Sequence, residues 1–183
     1  RAEQLGGQVR LMFPMITNVE EMVRVKKMVH RVAAELSREG QEFANVPLGM
    51  MLEVPAAAVM IRTLLRIVDF VSIGSNDLVQ YLMAADRDNP KVSHLCQPLA
   101  PAVLSTLRHV IRACNKAQKP LTLCGEMAGQ PRAFVLLLGM GLRSFSMSPS
   151  FIPSIKELAA HVSAAEAGEI LRQALRIPQT KRV

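Results

Sequence analysis

The sequence predicts an α/β chain of about five successive strand–helix units, and three observations carry that reading. Half of the 183 residues are hydrophobic, enough apolar material for one core of ordinary domain size. Short apolar runs suited to buried parallel strands alternate with longer amphipathic stretches. The residues best suited to chemistry, Glu53, Asn76 with Asp77, and Cys124, fall at or just past the ends of successive apolar runs, where parallel α/β architectures place their ligands.

The first apolar run, Val9 to Met15, is stopped by Pro14 and reads as a strand. Asn18 then supplies an N-cap with Glu21 at the third helical position. Met22, Val25, Val29, Val32 and Leu36 recur at steps of three and four up to Gly40, the pattern of an amphipathic helix closed by glycine. Pro47 to Glu53 is the second strand. Pro55 suits the first position of a helix running to Arg66, Asp69 to Gly74 is the third strand, and Ser75 is placed to cap a helix to about Ala84. A connection holding Pro90, Pro98 and Pro101 leads into a helix ending near Ala117, with Leu104, Leu107, Ile111 and Cys114 on one face. Leu121 to Cys124 is the fourth strand, Pro131 to Leu138 a helix, and Ser144 to Met147 the fifth strand. Phe151 to about Val162 and Ala165 to Leu175 finish the chain in helices.

Such a series belongs either to an open doubly wound sheet or to part of an eight-unit barrel. No glycine-rich dinucleotide turn follows any strand. A complete barrel takes about 250 residues, so five units would be the last five of eight. Arg1, with no initiator Met, then reads as the start of a piece of something longer. Residues 1–162 are expected to form the partial barrel, and 163–183 a C-terminal helix with a basic tail that includes Arg172, Arg176, Lys181 and Arg182.

A formal charge of +7 invites a nucleic-acid partner, yet the chain has one Tyr and no Trp and no basic stripe interleaved with aromatics for base stacking. Nucleic acid is therefore not expected. Every apolar run is broken by a charge, Gly or Pro well before the ~18 residues a membrane span requires, so no membrane insertion is expected. No secretory leader is expected, since no basic, apolar, small-residue stretch of that kind occurs, and Cys96, Cys114 and Cys124 form an odd, scattered set that fits free thiols in a reducing cytoplasm.

Glu53 ends an apolar strand and Asp77 lies one unit later. Adjacent parallel strands are about 4.8 Å apart, so carboxylates at equivalent heights share one small hard cation of the magnesium type, leaving positions for water and an anionic substrate. The plainer alternatives are Glu53 paired with an Arg on a neighbouring loop and Asp77 serving as a second-position helix acid. Gly74-Ser75-Asn76-Asp77 turns strand directly into helix, which aims the N–H groups of Asn76 and Asp77 at the crevice for a carboxylate or phosphate. Arg87 either clamps a phosphate bidentately or bridges on the surface to Asp86 or Asp88. Cys124 precedes Gly125-Glu126-Met127-Ala128-Gly129, a turn-forming stretch that lets backbone approach a ligand. A thiol there, beside a metal and an anion, acts as acid or base on carbon, although most lone cysteines are inert. Cys114 is expected to be such a core residue, and Cys96 has no evident partner. Arg10 is expected to close the opposite end of the barrel, and Met12, Met15, Met50 and Met51 to fill its interior. His30, His94, His109 and His161 receive no catalytic role.

Leu11-Met12-Phe13-Pro14-Met15-Ile16, Glu53-Val54-Pro55-Ala56-Ala57, the run from Val68 through Gly74-Ser75-Asn76-Asp77 to Leu78, Cys124-Gly125-Glu126-Met127-Ala128-Gly129 and Leu138-Gly139-Met140-Gly141 resemble one family in order and spacing. It is the C-terminal domain of the phosphoenolpyruvate-protein phosphotransferases, enzyme I of the bacterial sugar phosphotransferase system, including its nitrogen-related paralogue. The resemblance runs from about residue 1 to 160. It implies a TIM (β/α)8 barrel of the phosphoenolpyruvate/pyruvate superfamily, of which this chain is the C-terminal part. The barrel binds phosphoenolpyruvate and Mg²⁺ and passes the phosphoryl group to a histidine on a separate N-terminal domain, then to an HPr-type carrier, releasing pyruvate. The resemblance also implies the residue roles: Glu53 and Asp77 as magnesium ligands, Asn76 and Asp77 as substrate contacts, Arg87 as a substrate clamp, and Cys124 as the proton donor that turns enolate into pyruvate. This domain is the family's dimer interface, so a homodimer is implied. The phosphorylated histidine and the upstream phosphate-clamping arginines are not in this chain, which is therefore expected to be inactive alone. One alternative is a magnesium-dependent lyase or aldolase of the same superfamily, which has no evident need for the Cys124 loop. Another is a non-catalytic dimerisation or regulatory module, against which intact Glu53, Asp77, Arg87 and Cys124 argue. Pyruvate phosphate dikinase and phosphoenolpyruvate synthase are nearer relatives, and the Glu-Met-Ala-Gly continuation favours the phosphotransferase.

Overall fold

The five apolar runs become five parallel strands, β1 (Leu11–Phe13), β2 (Leu48–Leu52), β3 (Phe70–Gly74), β4 (Leu121–Cys124) and β5 (Phe145–Ser146), in a computed structural model that describes residues 9–176. They lie in the sheet in chain order, each hydrogen-bonded to the next. A doubly wound sheet reverses its strand order at a switch point. No reversal occurs here, so the sheet is an arc of a singly wound barrel. The connections are the helices α1 (Val19–Arg38), α2 (Pro55–Val59), α3 (Ile61–Leu64), α4 (Ser75–Met83), α5 (Pro101–Lys116), α6 (Pro131–Gly139), α7 (Ile152–His161) and α8 (Ala164–Arg176). No helix among the described residues is long and apolar enough to cross a membrane.

Alternation along the strands separates two faces. Leu48, Met50 and Leu52 of β2, Val71 and Ile73 of β3 and Leu123 of β4 are buried against the helices, in one core with Met22, Ile61, Leu64, Leu78, Leu107 and Ile111. Each such side chain contributes roughly 1.5–3 kcal/mol on burial. The other face carries Gly49, Met51, Ser72, Gly74, Thr122 and Cys124, which the register brings into rows. Met51 lies beside Ser72 and Ser72 beside Thr122, while Gly74 lies beside Cys124 and Cys124 beside Ser146. Met50 is therefore not interior filling: it belongs to the sheet–helix core, and Met51 takes the interior position. Arg10 stacks over Phe70, 5.6 Å from the ring centroid, at the end of β3 opposite Gly74.

The helix ends follow local chemistry. Asn18 caps α1 by accepting the Glu21 N–H at 2.9 Å, and the Glu21 carboxylate takes the Thr17 N–H and hydroxyl at 2.7 and 2.9 Å. Those bonds hold the Glu21 carboxyl below its ordinary range. The apolar stripe of α1 is covered only in part, since Met22 is buried and Val32 is exposed. The expected helix from Pro55 to Arg66 is two short helices. Thr63 N–H bonds the Met60 carbonyl three residues back, which tightens the turn and splits the segment. α8 is capped by Ser163, whose hydroxyl accepts the Glu166 N–H while the Glu166 carboxylate takes the Ser163 N–H and hydroxyl. α8 lies on α6 and buries Leu171 with Leu104 and Leu136, so the C-terminal helix rests on the helical layer of the arc. Arg172 pairs with Glu169 on α8, while Arg1, Lys181 and Arg182 lie outside the described residues.

Candidate active site

Three strands deliver their last interior positions to one row. Glu53 follows β2 by one residue and is 4% exposed. Its Oε1 accepts the Met15 N–H at 2.8 Å, and its Oε2 lies over Gly74, where a Cβ would come within 2.7 Å. No cation among the described residues pairs with it, so the loop-arginine alternative is not realised. On the other side of Gly74 stands Cys124, two strand spacings or about 10 Å from Glu53 along the sheet. Its thiol donates to the Ile73 carbonyl at 3.4 Å, and the Ser72 hydroxyl donates to Sγ at 3.6 Å.

The β3–α4 turn supplies the next group. Ser75 does not cap α4. Gly74 holds the N-cap position with no side-chain acceptor, and Ser75, one residue later, donates its hydroxyl to the Cys124 carbonyl at 2.7 Å. The first-turn N–H groups of α4 are thus left open at the strand ends. Asn76 Oδ1 accepts the Glu126 N–H at 3.1 Å, which leaves its amide NH₂ as a donor. Asp77 accepts from Arg87 Nη1 at 3.1 Å, so Arg87 bridges to Asp77 rather than to Asp86 or Asp88. Asn76, Arg87 and Glu126 line a cavity of about 90 Å³ with Ser75, Cys96 and Gln130. Cys96 does have a partner, the Ala85 carbonyl at 3.1 Å. Glu53 and Cys124 do not line that cavity; they stand beside it on the open face of the sheet.

A hard cation such as magnesium, which keeps waters and takes few protein oxygens, would find the buried Glu53 carboxylate without a basic partner and the Asp77 carboxylate one unit away paired with Arg87. Among the described residues no cluster of three or more His, Cys, Asp or Glu forms an all-protein cage. Cys114 is buried, which pushes its thiol from the ordinary 9.0 up to about 12, as an inert core cysteine requires. Ser72 carries no role in the sequence reading, and Met15, expected to fill the interior, is instead half-exposed and serves the site through its backbone N–H. Ser72 had a signal: it lies two residues before Gly74 and shares its face. Met15 had none, because it acts through its backbone N–H on a residue 38 positions away.

The family described as PEP-utilising enzyme, PEP-binding domain, matches residues 1–164. A phosphoenolpyruvate-protein phosphotransferase of Haemophilus influenzae is 45% identical over 173 residues, 94% of this chain and 30% of the relative. Proteins of the same name from Buchnera aphidicola subsp. Schizaphis graminum and Enterococcus faecalis are 41% and 42% identical over 97% and 93% of the chain. The chain thus spans about 30% of the length of these relatives. A citrate lyase structure from Burkholderia xenovorans LB400 aligns with a TM-score of 0.57 at 17% identity, covering 94% of this chain and 67% of that one, a likeness of fold that agrees with the sequential parallel arc. The strand-end row and the match across residues 1–164 converge, and the chain belongs to the PEP-utilising enzyme family through its PEP-binding domain.

Proposed function

We propose that the chain carries the phosphoenolpyruvate- and magnesium-binding part of a phosphoenolpyruvate-protein phosphotransferase, which phosphorylates a histidine on another domain and through it an HPr-type carrier protein. The observation that carries this reading is the row in which Glu53, the Gly74-to-Asp77 turn and Cys124 stand together at the strand ends. The reading includes a cytoplasmic homodimer, in the sugar-transport or the nitrogen-related branch.

Glu53 and Asp77 would hold magnesium, which neutralises charge on the phosphate and the developing enolate. Arg87 exchanges its ion pair with Asp77, a partly exposed contact worth less than about 1 kcal/mol, for a bidentate grip on phosphate. The open N–H groups of α4 and the Asn76 amide orient the substrate's anionic groups. When the phosphoryl group leaves for the histidine nitrogen, the P–O bond breaks and its electron pair stays on oxygen as the enolate. The Cys124 S–H then gives its proton to the methylene carbon. The C=C pair becomes the new C–H bond, the carbonyl forms, and the remaining thiolate is held by the Ser72 hydroxyl.

A chimera in which this chain replaces the matching stretch of the Haemophilus influenzae relative provides the test. Cys124→Ala is expected to leave phosphoryl transfer from phosphoenolpyruvate to protein intact and to lower pyruvate formation by about 10²-fold or more, as loss of a general acid does. Undiminished pyruvate formation would refute the proton-donor role. The 183-residue chain alone is expected to form no pyruvate, having no phosphoryl-accepting histidine domain in the arc described.

A further inference from the structure

A second concavity lies on the outer helical layer, away from the strand ends. Between α3 and α5 runs a groove of about 680 Å³, within the size range of small-molecule sites. Its rim is Arg62, Arg66, Arg108, Arg112 and Lys116, and no Asp or Glu lines it. Among the described residues none of these cations is ion-paired, since the two ion pairs are Arg87 with Asp77 and Arg172 with Glu169. Its floor is apolar, from Leu65, Ala113 and Ala117. A neighbouring concavity shares Arg108, Arg112 and Lys116, so these three cations face both depressions; Arg172, which also lines it, is neutralised by Glu169.

Stabilisation of a helix C-terminus by nearby cations explains Lys116, in the last turn of α5, and Arg62, in the last turn of α3, and leaves Arg66, Arg108 and Arg112 unexplained. Five like charges around one depression repel each other unless an anion is bound. Four of the five are guanidiniums, whose planar fork matches phosphate oxygens two at a time. One imidazole, His109, and no Phe, Tyr or Trp lines the groove, so it lacks the successive aromatic rings on which a single-stranded nucleic-acid site stacks its bases.

We infer that this groove binds a small soluble molecule bearing a chain of two or more phosphates, its phosphates on the arginine rim and any attached nucleoside on the Leu65, Ala113 and Ala117 floor. The site is separate from the strand-end row and does not depend on the phosphotransferase reading.

Calorimetric titration of the chain with sodium tripolyphosphate and with ATP, in EDTA at low salt, tests it. Saturable 1:1 binding of tripolyphosphate is expected. Arg66→Glu with Arg112→Glu is expected to weaken it at least about tenfold, and rising salt to weaken it progressively. Where circular dichroism shows that charge reversal perturbs folding, Arg66→Gln with Arg112→Gln carries the same expectation. Tighter binding of ATP than of tripolyphosphate assigns a nucleoside to the floor; equal or weaker binding assigns the phosphate chain alone. Arg87→Ala is expected to leave binding unchanged. The inference is overturned by no saturable binding, by binding that the paired variants do not alter or that Arg87→Ala removes, or by a single-stranded RNA that binds more tightly and displaces tripolyphosphate.

Discussion

At Gly125 the backbone runs through φ 108° directly beneath the β3–α4 turn. A Cβ there would stand 2.4 Å from Ser75 Oγ and 2.8 Å from Asn76 Oδ1, so two constraints coincide on one residue: a backbone conformation that favours glycine and no room for a side chain. Gly125→Ala is expected to cost about 1–3 kcal/mol in backbone strain alone and to push Asn76 off the Glu126 N–H. Urea unfolding measures the first effect. The second appears in an amide NMR spectrum as displaced Asn76 and Glu126 resonances; an unchanged midpoint together with unmoved resonances contradicts the account. What was legible at this scale were residues whose role is set by position in a strand–turn unit. Glu53, Asn76, Asp77 and Cys124 could be placed because each strand end announces itself locally. The bonds that fix them could not, because Ser72 reaches Cys124 across 52 positions and Glu126 reaches Asn76 across 50. Arg87 was read as either a phosphate clamp or a partner of its sequence neighbours, and it binds a residue ten positions back.

Elements were legible where a local signal starts or stops them. Asn18 with Glu21 fixes α1 and Pro131 opens α6, whereas Pro101, read as part of the connection, is the first residue of α5, and the Ser163–Glu166 cap of α8 was not read. The break at Met60 was not legible. Ala57, Ala58, Ile61, Leu64 and Leu65 keep helical spacing straight through it, and only the backbone bond pattern reveals the tightened turn. The docking of α8 on α6 is likewise a matter of tertiary approach. At Gly139 a Cβ would meet the Ala167 carbonyl oxygen closer than any contact distance allows, so the two helices meet backbone to backbone there. Gly139→Ala is expected to lever α8 away and cost about 1–3 kcal/mol, as overpacking does. Hydrogen exchange separates this from general destabilisation: amides of α8 lose protection while those of β2, β3 and β4 keep theirs. Equal loss in the sheet would mean that α8 is not a separable layer.

The whole molecule is decided by strand order, which periodicity does not encode. Five strand–helix units were readable, yet a doubly wound sheet and a barrel arc share the same alternation until pairing is known. Once the order is sequential and parallel, helices cover one face and the other is left to line an interior. That interior is open at β1, whose far edge pairs with no other strand among the described residues. Leu11, Met12 and Met15 are 39%, 40% and 49% exposed there, and Met28 and Val32 of the neighbouring α1 are 58% and 46% exposed. An unpaired strand edge with exposed apolar side chains is a template for association. The isolated chain is therefore expected to self-associate as its concentration rises and to bind an apolar dye. Light scattering after size exclusion measures the mass, and Met12→Lys with Val32→Lys is expected to return the chain to a monomer without altering its helix content. A single monomeric mass at every concentration for the unsubstituted chain would mean that the β1 edge is covered in solution. The arc would then be a closed unit in its own right rather than a surface awaiting a partner.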